Sequence, residues 1–371
     1  MNPFRYGQIV KDTEFCERPE LVKRLSENIQ QGQNVYIQGE RRTGKSSLIC
    51  ETIRRLKKHR MLYIDLLEVK SIDDLIKRIV TAYISLENSK GFIEKSLKTL
   101  SQLRPVASVD PITGMPTLSI DANVSFSPSS INQIMDLIQS SYVKSKPIVV
   151  VFDEFQDILN LSDAKETLAV LRSKVQFHSE ISYIFAGSIR NKMDAIFNDP
   201  DSAFFKSAIP IQVGAIDKKH FENFITKKII DGERSIDSKV LDMVFTVCFN
   251  IPGDVQQLCN ALWETTKAGD EIQPKGVIKA IEQIFAHENK GYETILKIIT
   301  PQQLRLLSAL ARVGGKNPMA GKFLEASGIS QPSSVQKALQ RLIDLKVIFH
   351  SEDEYRFVNP FFRSWIIYKK L

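Results

Sequence analysis

The chain has 371 residues, 43% of them apolar and 25% charged, with 50 Lys and Arg against 43 Asp and Glu. That length predicts two to three domains with ample core, and no uncharged apolar run approaches the roughly 18 residues of a membrane span. The opening segment MNPFRYGQIVKDTEF has no apolar stretch of secretory type, and the four cysteines form no CxxC pair. We therefore expect reduced thiols and a cytoplasmic location, without a zinc ribbon or disulfide framework.

The net charge of +7 is unevenly placed. Between Leu296 and Leu371 there are 12 Lys and Arg against 5 Asp and Glu, which accounts for the whole excess. Such asymmetry points to an anionic partner for the C-terminal fifth, nucleic acid being the usual one.

In chain order, the first half alternates strand-like and helix-like segments, the pattern of a parallel α/β sheet. Strands are predicted at 34–38, 61–66, 147–152, 181–186 and 209–213, the last an edge strand because Pro210 cannot donate to a ladder. Helices are predicted at 45–59, 71–86 and 130–144, with Ser71 as an N-cap. One insertion, at about 103–125, has alternating Leu118, Ile120, Ala122 and Val124 and the turn segment Asp110–Gly114, and reads as a projecting β-hairpin. From Asp217 helical periodicity takes over at 218–231, 236–249, 253–267 and 275–289, predicting an all-helical domain. The remaining chain predicts three short helices (301–313, 320–327, 333–345) and a two-stranded wing at 347–350 and 355–358, a winged-helix layout. The expected domains are thus 1–216, 217–290 and 291–371.

Gly39-Glu40-Arg41-Arg42-Thr43-Gly44-Lys45-Ser46 fits G-x-x-x-x-G-K-[ST] in full, with a strand before it and a helix, continuing through Ser47, after it. The glycines let successive main-chain N–H groups face phosphate oxygens, and the helix presents its positive end to the same anion. Lys45 would reach the terminal phosphates of ATP and the Ser46 hydroxyl would ligate Mg²⁺. A second anchor is expected at Asp153, which closes the apolar run Val149–Phe152, and Glu154 would orient and deprotonate the attacking water. Ser188, at the end of the next strand, has two readings: a sensor of the terminal phosphate, or an N-cap for the helix that follows.

In the last helix of the winged-helix segment, Val335, Leu339, Leu342 and Leu345 mark an apolar stripe. Ser333, Ser334, Gln336, Lys337, Gln340 and Arg341 would then face outward, a set suited to double-stranded DNA through Ser334, Lys337 and Arg341. The same face equally suits an intramolecular or protein contact, and the acidic wing tip Glu352-Asp353-Glu354 argues against deep phosphate contact there. Phe361, Phe362 and Trp365 read as packing residues of the wing.

Taken together, these motifs resemble the AAA+-related ATPases of the STAND class, in particular the group called archaeal-type ATPases. The likeness also rests on Asn2–Gly7, on Phe15, Arg18, Glu20 and Leu21, on Arg41-Arg42, on Asp153–Gln156, on Ala186–Ser188 and on Thr300–Gln302. It implies an additional-strand P-loop sheet, a helical lid closing over the nucleotide, and a winged helix. It also implies that Asn2–Phe4, including Pro3 and Phe4, and Phe15–Arg18 frame the adenine, and that Pro252 opens a lid helix facing the nucleotide. Two positions depart from the group: the residue two before Pro252 is Asn250 rather than glycine, and Ser207, beside Lys206, stands where archaeal members carry an arginine finger. The resulting expectation is a slowly hydrolysing ATP switch reporting to DNA, a protein partner or a second copy of the chain; the alternative is a module in which nucleotide is a structural ligand without turnover.

Overall fold

The computed structural model describes residues 1–86, 105–109, 116–120, 126–188, 190–351 and 354–371, with the main chain alone at 105–109, 116–120, 190–191 and 351. The chain forms two compact units, one of Ile9–Gly214 and one of Met1–Gln8 with Ala215–Leu371.

The first unit is built on five parallel strands: β1 (Val35–Gln38), β2 (Arg60–Asp65), β5 (Ile148–Asp153), β6 (Ser182–Gly187) and β7 (Ile209–Gln212), in the order β2-β5-β6-β1-β7. The intervening β3 (Pro105–Val109) and β4 (Pro116–Ile120) pair antiparallel as the expected hairpin. Ala122, Val124 and the turn at 110–115 lie outside the described residues. The order inserts β6 between β1 and β5, so the loops after β1 and β5 leave from strands flanking one central strand.

Alternation explains why both faces are covered. Val149, Val151, Ile184, Ala186, Val35 and Ile37 point to one side and pack on α1 (Pro19–Gln30) and α2 (Lys45–Arg55). Val150, Phe152, Tyr183 and Phe185 point to the other and pack against the helices Ile72–Ile84, Ile131–Ser140 and Ala164–Val175. A strand buried on both faces needs a continuous apolar run, and β5 and β6 are buried at every position. Pro210 sits on β7 at the sheet edge, where its missing N–H costs no ladder bond.

In the second unit, helices Lys218–Asp231, Ser238–Val247, Pro252–Glu264 and Pro274–Ile298 precede the winged-helix elements. Two findings modify the expected all-helical plan. Ser235–Ile236 and Glu271–Ile272 pair as a short parallel ladder, too brief to leave a period-2 signature. The helix from Pro274 runs 25 residues, through the expected boundary near 290, because no proline interrupts it and Gly291 is tolerated within it. After it come Pro301–Val313, opened by a Thr300–Gln303 capping box, then Gly321–Ser327, Pro332–Asp344 and the antiparallel strands Ile348–Ser351 and Glu354–Phe357. Phe361, Phe362 and Trp365 are buried on a terminal helix, Pro360–Tyr368, and Phe362 packs on the wing through Phe357, with ring centroids 6.1 Å apart. Phe362 and Trp365 face Tyr292 of the long helix, with ring centroids 5.1 and 5.4 Å away. Glu288, one turn before Tyr292, accepts hydrogen bonds from Gln257, Tyr292 and Asn359 at 2.6–2.8 Å, so one carboxylate joins three elements of this unit.

Candidate functional site

The loop between β1 and α2 takes its shape from two glycines. Gly44 has φ +86°, a left-handed conformation that side chains resist. A Cβ on Gly39 would lie 2.3 Å from the Val213 carbonyl oxygen, so only glycine lets β1 and the loop pass that close. Among the described residues no acceptor meets the main-chain N–H of Thr43, Gly44, Lys45 or Ser46. Those of Gly44, Lys45 and Ser46 are opening donors of α2, which has no internal partners for them, and Thr43 precedes its N-cap. The loop therefore offers an anion a row of N–H groups at the positive end of α2.

Lys45 is 6% exposed and its ammonium donates to the Gly39 and Glu40 carbonyls at 2.9 and 3.0 Å. Burial pushes it below the ordinary lysine value, and the charges of Glu154 and Asp153 oppose that shift. The Ser46 hydroxyl donates to Asp153 Oδ2 at 2.6 Å, bringing together residues 107 apart in sequence. This places two oxygen donors side by side at the mouth of the loop. An oxygen-only set beside open N–H groups suits Mg²⁺ with a polyphosphate, so the residues present fit both.

Glu154 follows Asp153 with φ +50°, a positive angle that a non-glycine residue rarely adopts. Its N–H donates to Asp153 Oδ1 at 3.0 Å. Its Oε2 accepts from Gln156 Nε2 at 2.5 Å and from the Ser188 hydroxyl at 2.8 Å. Among the described residues no donor meets Oε1, so one carboxylate oxygen is clamped and the other is open. Ser188 thus turns its hydroxyl toward the acid at the end of β5.

Arg18, Tyr63, Glu51 and Ser47 support this cluster from around it. Arg18 is 8% exposed and donates to the Thr43 carbonyl at 2.7 Å and the Gly214 carbonyl at 2.9 Å. Burial pushes its pKa down to about 10, partly opposed by Cys16. Tyr63 of β2 donates its hydroxyl to Asp153 Oδ2, and burial, followed by the Asp153 charge, keeps that phenol protonated well above its ordinary range. Glu51 of α2, fully buried, accepts from the Asp12 N–H, Arg54 and Arg55, and Ser47 accepts from the Val10 N–H at 3.1 Å. The segment at 10–12 is thereby strapped to the helix that carries Lys45 and Ser46.

Residues 28–191 match the family model described as "AAA domain", and residues 290–368 match the one described as "Probable winged helix domain". The chain joins an AAA-type P-loop domain to a winged helix. The winged-helix match agrees with the three helices and two-stranded wing described above. No curated protein matches the chain by sequence. Among solved structures, a Walker-type ATPase of Pyrococcus abyssi is 17% identical, with TM-score 0.65, covering 98% of this chain and 99% of that one. The ORC2 protein of Aeropyrum pernix, in its ADPNP–ADP complexes, is 13% identical with TM-score 0.55, covering 96% and 95%. The ORC1 protein of the same organism, in complex with DNA, is 12% identical with TM-score 0.51, also covering 96% and 95%. These likenesses are likenesses of fold.

The AAA domain brings together Gly39, Thr43, Gly44, Lys45, Ser46, Asp153, Glu154 and Ser188. Glu40, Arg41 and Arg42 lie on the same loop and Ser47 follows within α2. Pro3, Phe4 and Pro252 belong to the other unit. There Phe4 is fully buried edge-on to Trp263; its N–H is taken by Asn2 and its carbonyl by Asn260, while the Pro3 carbonyl accepts from Lys228. Pro252 opens its helix, after the positive-φ pair Phe249 and Asn250. Lys206 is exposed over the Phe205 ring, and the Ser207 hydroxyl donates to the Phe204 carbonyl. On Pro332–Asp344, Lys337 and Arg341 are exposed with Ser333, Gln336 and Gln340, whereas Ser334 is half-buried, because it lies one turn before the buried Ala338 at the margin of the apolar stripe. No described helix is long and apolar enough to cross a membrane.

Proposed function

We propose that the protein is an ATP-dependent switch that hydrolyses slowly and reports its nucleotide state, through the helical lid, to a winged helix that contacts DNA. The observation that carries the reading is the Ser46–Asp153 bond at 2.6 Å, with Glu154 next in sequence and clamped on one oxygen only.

In this reading the main-chain N–H groups of 43–46 bind the phosphates and Lys45 leaves the Gly39 and Glu40 carbonyls to reach the terminal ones. Ser46 and Asp153 would hold Mg²⁺, which when bound neutralises charge on the phosphates. Glu154 Oε1 takes the proton of the water that attacks the terminal phosphorus, and Ser188 and Gln156 fix the carboxylate through Oε2. No arginine occupies positions 204–207, which supports a slow rate unless Lys206 of a second copy acts there as a point charge. Glu288 supports lid-to-winged-helix transmission, since it ties Gln257, Tyr292 and Asn359 into one hydrogen-bonded group. The DNA reading draws on the exposed Lys337 and Arg341, on the +7 excess of the C-terminal segment, and on the A. pernix ORC1 complex.

The test is a pair of variants of the full chain. Lys45→Ala abolishes ATP binding, whereas Glu154→Gln binds ATP and releases phosphate on the order of a hundredfold more slowly than wild type. Wild-type release no faster than that of Glu154→Gln would overturn the switch and leave nucleotide as a structural ligand.

A further inference from the structure

Asp153 receives more donors than a metal-anchoring carboxylate needs. Its Oδ2 accepts from Ser46 at the start of α2 and from Tyr63 of β2, and its Oδ1 accepts from the Glu154 N–H. Ser46 and Glu154 are parts of the P-loop and the acidic pair. Tyr63 is neither.

Packing does not explain the phenol. Tyr63 is half-buried at the margin of the cluster under α1 and α2, where a phenylalanine ring would fill the same space. Its register partner on β5 is Val151, two residues short of Asp153 and on the same face. A side chain at 63 must therefore lean along the strand to reach the carboxylate, and the para-hydroxyl supplies the length and the donor.

We propose that Tyr63 is a positioning residue for the divalent cation: it fixes the Asp153 carboxylate in one orientation before the cation arrives. The inference rests on the metal role given to Asp153 above. A carboxylate held by donors from three elements has little rotational freedom left to lose on binding, which is how outer partners of a metal site raise its affinity. Without the phenol, Asp153 keeps Ser46 and Glu154 but can swing about its Cβ–Cγ bond.

The test titrates Mg²⁺ against a fluorescent non-hydrolysable ATP analogue on the full chain and reads nucleotide affinity rather than turnover. For Tyr63→Phe, the Mg²⁺ concentration giving half of the affinity gain rises about tenfold, while binding in EDTA and the melting temperature stay at wild-type values. Asp153→Asn loses the Mg²⁺ dependence, and adding Tyr63→Phe to it changes nothing further. An unshifted Mg²⁺ midpoint in Tyr63→Phe, with Asp153→Asn behaving as stated, overturns the role of Tyr63 alone. Weakened binding in EDTA would make Tyr63 a structural residue and also overturn it. Retention of Mg²⁺ dependence by Asp153→Asn would instead remove the metal reading of Asp153 itself.

Discussion

Glu51→Gln tests whether the N-terminal strap is held to the P-loop helix electrostatically. The Glu51 carboxyl is fully buried and held down to about 2, from an ordinary 4.5, chiefly by the hydrogen bond from Arg54, with Arg55 and the Asp12 N–H adding to it against the cost of burial. A depressed carboxyl contributes stability above its unfolded pKa and loses it as pH falls toward the folded one. The difference corresponds to at most about 3.4 kcal/mol. Arg54 and Arg55 are 44% and 35% exposed, so screening reduces this to roughly 1.5–2 kcal/mol. Glutamine can still accept from Asp12 but gives the arginines no charge. Thermal unfolding followed by circular dichroism should show the variant melting roughly 5 °C below wild type at pH 7. The gap should hold down to pH 5 and close between pH 4.5 and 2. A gap of constant size from pH 7 to pH 3 would refute the electrostatic account and leave a packing defect in its place.

Arg18→Lys keeps the charge but cannot hold the Thr43 and Gly214 carbonyls together, so calorimetric affinity for a non-hydrolysable ATP analogue should fall about tenfold; an unchanged Kd would mean that the P-loop does not need this brace. For DNA, Lys337→Gln with Arg341→Gln should flatten the plot of log affinity against log salt by up to about 1.8, at ~0.9 per lost phosphate contact, and an unaltered slope would move the interface off this helix.

Much of the AAA domain is legible because its signals are local. The P-loop needs only eight consecutive residues, and β5 and β6 are readable because covering a strand on both faces demands an unbroken apolar run. What escapes is set by register and distance. Arg18 belongs to the N-terminal signature, but that signature assigns it to the adenine and does not reveal the two carbonyls it meets across 25 and 196 residues. Tyr63 becomes meaningful only once β2 is known to pair with β5 in the register that sets Asp65 beside Asp153. In the second unit, Phe362 and Trp365 announce burial but not Tyr292 as a partner, since Tyr292 lies on a helix whose continuation past Asn289 the sequence pattern does not reveal.

Glu154 shows why the site must be argued from its supports rather than its motif. Its φ of +50° is costly for a residue with a side chain, and such strain persists only where surrounding contacts over-determine it. Those contacts come from different directions: Asp153 accepts from the Glu154 N–H, Gln156 and Ser188 donate to Oε2, and the 3-10 helix Phe155–Asn160 begins at once with Phe155 fully buried. A relaxed extended residue here would carry its side chain along the β5 pleat. The left-handed turn instead takes the acid out of that alternation and hands it to the end of β6, where Ser188 waits. The strained angle and the Ser188 hydroxyl are therefore two halves of one arrangement, and each explains why the other is present.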